Sequence, residues 1–181
     1  MTIRGPFGAN KPVTAKNVGT VAAGSTVVEY GDGVKHQTVI TVDTTLGAIV
    51  GGAGLCLGKL VYTFPAGALD VKSAYMSMAL TASETNIPAD TPEVGIGNVL
   101  GAGVQTTIGA AGATMENIYD GSTAAADCNG TPTVGQQALS LIIATVDAHA
   151  VYFNVADDWA ASGDAACAIA GTIIIEWAFV V

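Results

Sequence analysis

The sequence predicts an all-β protein, an antiparallel β-sandwich or jelly-roll-like body with an extended N-terminal arm. Three observations predict it. In Gly171–Val181, Ile173, Ile175, Trp177, Phe179 and Val181 fall on one face, and Thr172, Ile174, Glu176, Ala178 and Val180 on the other. Period-two alternation with β-branched and aromatic residues marks a strand fully buried on one side and partly on the other. Shorter segments alternate in the same way between turn signals, and no segment offers two convincing helical turns. Many short strands with turns between them make a sandwich or jelly roll.

Taken in order, residues 1–20 hold Pro6, Pro12 and three glycines without sustained periodicity, so they read as an arm suited to lying on a partner. Residues 21–181 read as one sandwich domain. Ser25–Tyr30 and Val34–Asp43 flank Gly31-Asp32-Gly33, the best hairpin signal in the chain, and Val34, His36, Thr38, Ile40 and Val42 share a face. Leu46–Gly58 is Gly-rich and uncharged. Lys59–Phe64 sets Leu60, Tyr62 and Phe64 against Lys59, Val61 and Thr63. Val71–Leu80 puts Ala74, Met76, Met78 and Leu80 inside, with Ser73, Tyr75 and Ser77 outside. Joined by Pro65–Asp70, these two segments are expected to form a second antiparallel pair.

Thr81–Pro92 is a polar loop, because Asn86-Ile-Pro88 and Asp90-Thr-Pro92 exclude regular structure. Short strands are expected at Glu93–Val99 and Thr114–Tyr119, then a loop at Asp120–Thr133. Leu139, Ile142, Ile143 and Val146 fit helical spacing, whereas Leu139, Leu141, Ile143 and Thr145 fit a strand; β-branched residues and flanking strands favour the strand. Val151–Val155 alternates cleanly, and Asp157–Asp164 could turn through a short helix capped by Asp157 or Asp158.

Composition adds a functional constraint. The 181 residues suffice for one domain with a real core. Charged residues make up 12%, about half the ~25% usual in soluble domains, and 50% of residues are apolar. So little charge leaves little to solvate an isolated surface, which suggests that neighbouring subunits cover much of it. The alternative is a low-charge domain that stands alone. Residues 1–72 hold all six basic residues against four acids, a balance of +2, while residues 73–181 hold eleven acids and no Lys or Arg, giving the total of −9. That distribution repels nucleic acid and offers no basic stripe for a phosphate backbone. It would let a basic arm, with Arg4, Lys11 and Lys16, lie on an acidic support and make assembly contacts.

The first residues lack the apolar core of a signal peptide. Residues 94–115 are uncharged over 22 positions but contain six glycines, so they read as Gly-rich strand and loop, not as a membrane span. Cys56, Cys128 and Cys167 have no Cys-x-x-Cys spacing and are expected as buried free thiols, with a Cys128–Cys167 bridge as the alternative.

No motif carries a reaction. Ala53–Leu60 comes within one residue of a phosphate-cradling loop, but Leu60 cannot supply the hydroxyl for magnesium. Gly95-Ile-Gly97 lacks the third glycine of a dinucleotide fingerprint, and a Gly-rich strand or bulge accounts for it better. The Gly-x-Ser-x-Gly nucleophile pattern is absent. His36 and His149 are the only imidazoles and read as structurally satisfied. Asp120, Asp127 and Asn129 in one loop, and Asp157 with Asp158 in another, could supply hard oxygens to calcium; solvated turns are the plainer reading. Asn129-Gly-Thr131 matches a glycosylation acceptor, which matters only in a secreted eukaryotic chain. Tyr30, Tyr119 and Trp159 could form a sugar platform, although aromatic residues total 6%. No cofactor and no metal site is expected.

Val151-Tyr-Phe-Asn154-Val-Ala156-Asp-Asp158-Trp159, a small-residue loop, and Gly171-Thr-Ile-Ile-Ile-Glu176-Trp177 together resemble the ending of small β-sandwich proteins on tailed-phage heads. Those are decoration, or cement, proteins that bind outside the capsid lattice, often as trimers. The likeness covers about 30 residues and concerns a strand–loop–strand rhythm. It implies a non-enzymatic capsid-stabilising role, with the chain's own copies and the major capsid protein lattice as partners. It further implies assembly in the host cytoplasm and a place on the virion exterior. Other expectations are a main shell or tail-tube subunit, or a glycan- or receptor-binding sandwich; a main shell subunit of the usual kind would be longer and richer in helix.

Overall fold

The structure is a computed structural model that describes residues 19–31, 34–48, 55–82, 91–109, 115–123, 128–157, 159 and 167–180. Eleven strands occur among them, and no α-helix. They are β1 (Thr20–Val21), β2 (Ser25–Gly31), β3 (Lys35–Thr45), β4 (Cys56–Thr63), β5 (Leu69–Thr81), β6 (Glu93–Gly97), β7 (Ala102–Gly103), β8 (Tyr119–Thr123), β9 (Asn129–Ile143), β10 (Ala150–Ala156) and β11 (Ala168–Phe179). Two antiparallel sheets pack face to face. Sheet A has the order β2-β3-β11-β5-β9, and sheet B the order β1-β4-β10-β6-β8, with β7 beside β4.

The most apolar strand occupies the middle of sheet A. Each edge of β11 is hydrogen-bonded, to β3 from Ala168 opposite Thr45 to Ala178 opposite Lys35, and to β5 from Ala168 opposite Thr81 to Phe179 opposite Leu69. Ile169, Ile173, Ile175 and Trp177 point inward and are fully buried. Met76, Met78 and Leu80 from β5 and Ile40 and Val42 from β3 flank them. Val151, Phe153 and Val155 of β10 and Val94 and Ile96 of β6 face them from sheet B.

The β2–β3 hairpin forms as its turn signal predicts, with Gly31 opposite His36. His36, Thr38, Ile40 and Val42 are buried on one face, but Val34 lies before the strand and is exposed. The 138–147 ambiguity resolves as strand through Ile143, in the fifteen-residue β9. The Gly95–Gly97 segment is strand β6, whose pairing with β8 shifts register between Val94 and Ile96.

Other expectations are corrected. β4 and β5 are not a hairpin: β4 pairs with β10 in sheet B, whereas β5 pairs with β11 and β9 in sheet A. Pro65 cannot donate to a ladder, and Gly67 adopts a positive φ of 134°, so residues 64–68 cross between the sheets. Phe64 and Leu69, at either end of that crossing, are both buried in the shared core. Alternation within β4 also breaks, because β10 shifts register between Val151 and Tyr152, and Val61 and Tyr62 are both fully buried. The strand expected at 114–119 lies later, at Tyr119–Thr123, and the loop expected at 120–133 contains that strand and the first residues of β9. Asp, Gly, Asn and Ala are weak strand formers, and pairing with β6 and β5 overrides that weakness. Of the short helix expected over 157–164 only Asp157 and Trp159 are described, and neither is helical; the glycines at 51–54 and most of the 81–92 loop lie outside the described residues.

The orientation of β11 is testable. Ile173→Ala should cost about 2–5 kcal/mol in chemical denaturation. Ile174→Ala, on the half-buried outer face, should cost clearly less. Equal losses would contradict the assigned faces.

Candidate assembly surface

The two sheets treat their outer faces differently. Sheet B is covered by its own chain. Asn154, between the inward Phe153 and Val155, is fully buried. It donates through Nδ2 to the carbonyls of Val99 (3.0 Å) and Met115 (2.6 Å), and its Oδ1 accepts from Gly101 N–H (2.7 Å). Beneath those loops Cys56, Ile108, Met115 and Ala156 form a second apolar cluster. Trp159 is buried, and its Nε1 donates to the Leu55 carbonyl at 3.0 Å.

The outer face of sheet A stays partly exposed and is organised in transverse rows. Cross-strand register lines up Val28, Val39, Ile174 and Tyr75 as an apolar row. On one side lies a hydroxyl row of Thr26, Thr41, Thr172 and Ser77; on the other lie Tyr30, Gln37, Glu176 and Ser73. In that last row Glu176 accepts from Gln37 Nε2 (3.2 Å) and Ser73 Oγ (3.0 Å). A shallow groove of about 270 Å³ runs past it, lined also by Tyr75, Gln136 and Ile174. At the side of this face, β9 is an edge strand that pairs only with β5 among the described residues. None of its fifteen residues is charged. Val134 and Ile142 are exposed along it, and Val146 stands exposed in the turn beyond.

Between the sheets sits a polar cluster that sequence reasoning missed. Glu29 is buried and accepts from Thr38 Oγ1 at 3.0 Å and from the Tyr62 hydroxyl. Trp177 Nε1 donates to Thr38 Oγ1 at 2.8 Å, and Gly19 N–H donates to the Tyr62 oxygen at 2.8 Å. His36 Nδ1 stands 3.5 Å from Glu29 Oε2, and its ring stacks on Trp177 with centroids 4.0 Å apart. Burial first, then the hydrogen bond to Glu29, pushes the Tyr62 hydroxyl far above the usual phenol range and keeps it a donor. One signal was present: Glu29 follows Val27 on the inward face of β2, where a carboxylate requires donors. His149 has a different task. Its ring nitrogens lie 2.9 Å from the Asp147 carbonyl and 2.7 Å from that of Gly67, so it ties the turn after β9 to the crossing between β4 and β5. His149 is thus satisfied as expected, whereas His36 is buried with neither ring nitrogen hydrogen-bonded, which corrects the expectation for it.

The remaining sequence candidates do not converge. Arg4, Lys11 and Lys16 lie outside the described residues, as do Asp127 and Asp158. Asp120 is on β8, where its N–H donates to Gln137 Oε1 at 2.6 Å, and Asn129 opens β9, with its side chain accepting from Thr131 N–H at 3.1 Å. Among the described residues, no three His, Cys, Asp or Glu side chains are grouped to hold a metal ion. The sugar platform does not form, since Tyr119 and Trp159 are buried. Cys56, Cys128 and Cys167 are buried and in no disulfide, so there is no Cys128–Cys167 bridge. Burial raises the Cys56 thiol's pKa, against the opposing Ala102 backbone contact, and nearby Glu93 adds to the rise. Lys59, from the incomplete phosphate-loop pattern, is a half-buried residue of β4.

Carboxylates gather instead beside β6 and β8. Glu93 accepts from Ile108 N–H at 2.6 Å and Glu116 from Gly121 N–H at 3.0 Å. Burial raises the Glu116 pKa; the Gly121 bond opposes the rise, and Glu93 and Asp120 add to it. A carboxyl raised in the folded state stabilises the fold below its unfolded value, near 4.5, and that contribution is lost as pH rises through the folded value. Glu116→Gln, which keeps an acceptor for Gly121, should therefore raise the melting temperature at pH 7. The gain should vanish below about pH 4.5. A gain that persists at pH 3 would contradict this origin.

No family model matches the sequence, and no curated protein does. Among solved structures the chain is similar to one described as the cyanophage Pam1 capsid asymmetric unit. The identity is 16%, over 94% of this chain and 100% of that one, with a TM-score of 0.35. Similarity at that level does not define a shared fold, and the functional reading rests on the chain's own surfaces.

Proposed function

We propose that the chain is a non-enzymatic structural subunit of a virus particle, a decoration or cement protein that binds the outside of a head lattice as a homo-oligomer. One observation supports this most directly: a fifteen-residue uncharged strand at a sheet edge, with Val134, Ile142 and Val146 exposed along it and beyond its end. Long apolar edges invite strand addition, and isolated soluble domains usually protect them with charge, proline or brevity. In a protein with 12% charged residues, association with a neighbouring subunit would cover such an edge.

A subunit that binds only the assembled lattice stabilises that lattice by mass action, and several grips per oligomer multiply the effect. The basic residues Arg4, Lys11 and Lys16 are suited to gripping an acidic neighbour. A second reading, a glycan-binding sandwich, has the groove at Glu176 in its favour, with two glutamines, a serine and a tyrosine along it. Glycan arrays separate the two readings.

The test combines the protein's mass in solution with imaging of virus heads to which it is added. An oligomer that decorates heads is the expected outcome. Removal of residues 1–18 should leave the far-UV spectrum unchanged and reduce occupancy several-fold. A monomer at millimolar concentration with no affinity for any head would overturn the proposal.

A further inference from the structure

Two neighbouring rows on the outer face of sheet A differ in chemistry, and the groove of about 270 Å³ lies along both. Ladder register places Ile174, Tyr75 and Gln136 side by side on β11, β5 and β9, and Gln37, Glu176 and Ser73 side by side on β3, β11 and β5. The rows are two residues apart along each strand, roughly 7 Å. One wall is thus an aliphatic side chain beside an aromatic ring. The other is a carboxylate between an amide and a hydroxyl.

Glu176 decides what the polar wall offers. A carboxylate only accepts, so Gln37 turns Nε2 toward it at 3.2 Å and Ser73 its hydroxyl at 3.0 Å. Those bonds leave Gln37 Oε1, the Ser73 oxygen and the second lone pairs of both Glu176 oxygens as acceptors. A ligand seated there has to bring donors. Across the groove, the Tyr75 hydroxyl and the Gln136 amide can each donate and accept. The wall is also set in advance, because Glu176 is bonded on both sides and stands on a strand paired along both edges.

The rim selects against a charged ligand. Lys35 lies two residues from Gln37 on the same face of β3, and Lys72, paired with Asp70, lies beside Ser73 on β5. Two cations therefore stand near the groove against two carboxylates, Asp70 and Glu176. A donor without charge is a hydroxyl or an amide. A molecule with hydroxyls along its edge and an apolar C–H face to lay on Ile174 and Tyr75 is a sugar ring.

We infer that this groove is a carbohydrate site that takes one neutral pyranose ring, with its C–H face on Ile174 and Tyr75 and its hydroxyls donating to Glu176 and Gln37. The inference rests on the glycan-binding reading of the groove given above and names its ligand class and contacts. It leaves the assembly reading to its own test.

The experiment titrates the full-length protein with glucose, galactose, mannose and N-acetylglucosamine, read by saturation-transfer NMR on the sugar. At least one sugar should bind saturably, and ethylammonium chloride should not displace it. Glu176→Gln and Gln136→Ala should each weaken binding roughly fivefold or more, the effect of losing one hydrogen bond in a polar site. Thr26→Ala, on the same face but outside the groove, should leave it unchanged. Gln136 is exposed on an edge strand, so its variant tests the site even if Glu176→Gln fails to fold. Sugar binding indifferent to Gln136→Ala and to a folded Glu176→Gln would overturn the groove assignment and leave the glycan reading standing. Displacement by ethylammonium would overturn the neutral ligand class. No binding of any of the four sugars at about 100 mM, where even a millimolar site is filled, would overturn both the inference and the glycan reading.

Discussion

Everything in this fold depends on β11 being held along both edges at once. A central strand leaves none of its ladder groups to solvent, so β3 and β5 must both be in register before β11 is stable. Its neighbours come from distant parts of the chain, with Ile173 opposite Ile40 on one side and Met76 on the other. Pairings of such sequence separation carry the entropic cost of closing long loops before they gain contacts, and that cost slows folding. The inner face of β11 then fixes where sheet B can lie. Trp177 meets Phe64 edge-on at 5.4 Å and Phe179 at 5.2 Å, while His36 stacks flat against it.

The Glu29 cluster follows from that geometry. Aliphatic packing is nearly non-directional and tolerates sliding of one sheet over the other. A carboxylate bonded to Thr38 from its own sheet and to Tyr62 from the facing sheet does not tolerate it. A carboxyl group this deep costs stability where an oxygen lacks a donor, and only Oε1 is met by Thr38 and Tyr62, with His36 Nδ1 3.5 Å from Oε2; its presence fits a role in fixing the sheets' alignment. Burial keeps the Tyr62 proton on its oxygen, so the donor is retained across the ordinary pH range. Gly19, whose N–H reaches that oxygen, ties the start of the described chain to the same point.

How much of this was legible depended on whether a segment carried its own instruction. β11, β5, β10 and the β2–β3 hairpin announce themselves by alternation or by a two-glycine turn, and they appear where the sequence places them. β8 and the beginning of β9 do not, because Asp120, Gly121, Asn129 and Gly130 become strand residues only through their neighbours. The partnership of β4 with β10 was hidden for a related reason. Two alternating strands joined by a short link look like a hairpin, and only tertiary packing decides that Phe64 and Leu69 enter the core from opposite sheets. For the candidate surface, low charge was readable at once. The rows on sheet A were not, since they depend on register, which a one-residue slip would undo.

The contrast between the two sheets is where fold turns into function. Sheet B closes over its own outer face, where Asn154 meets three backbone groups and Cys56, Ile108, Met115 and Ala156 pack beneath the loops. It also carries the carboxylates of Glu93, Glu116 and Asp120, so its rim repels another acidic chain. Sheet A keeps exposed valines on its outer face and ends at an uncharged edge. One layer is thus covered within the chain and lined by carboxylates, while the outer face of the other stays partly exposed and has an uncharged strand at its side. An assembly governed by that difference has an orientation built into it, because copies can approach through the edge of sheet A at lower electrostatic cost than through the rim of sheet B. Under the proposed assembly the sparse charge of the sequence is a condition for association, since a single lysine facing outward from β9 would be enough to oppose it.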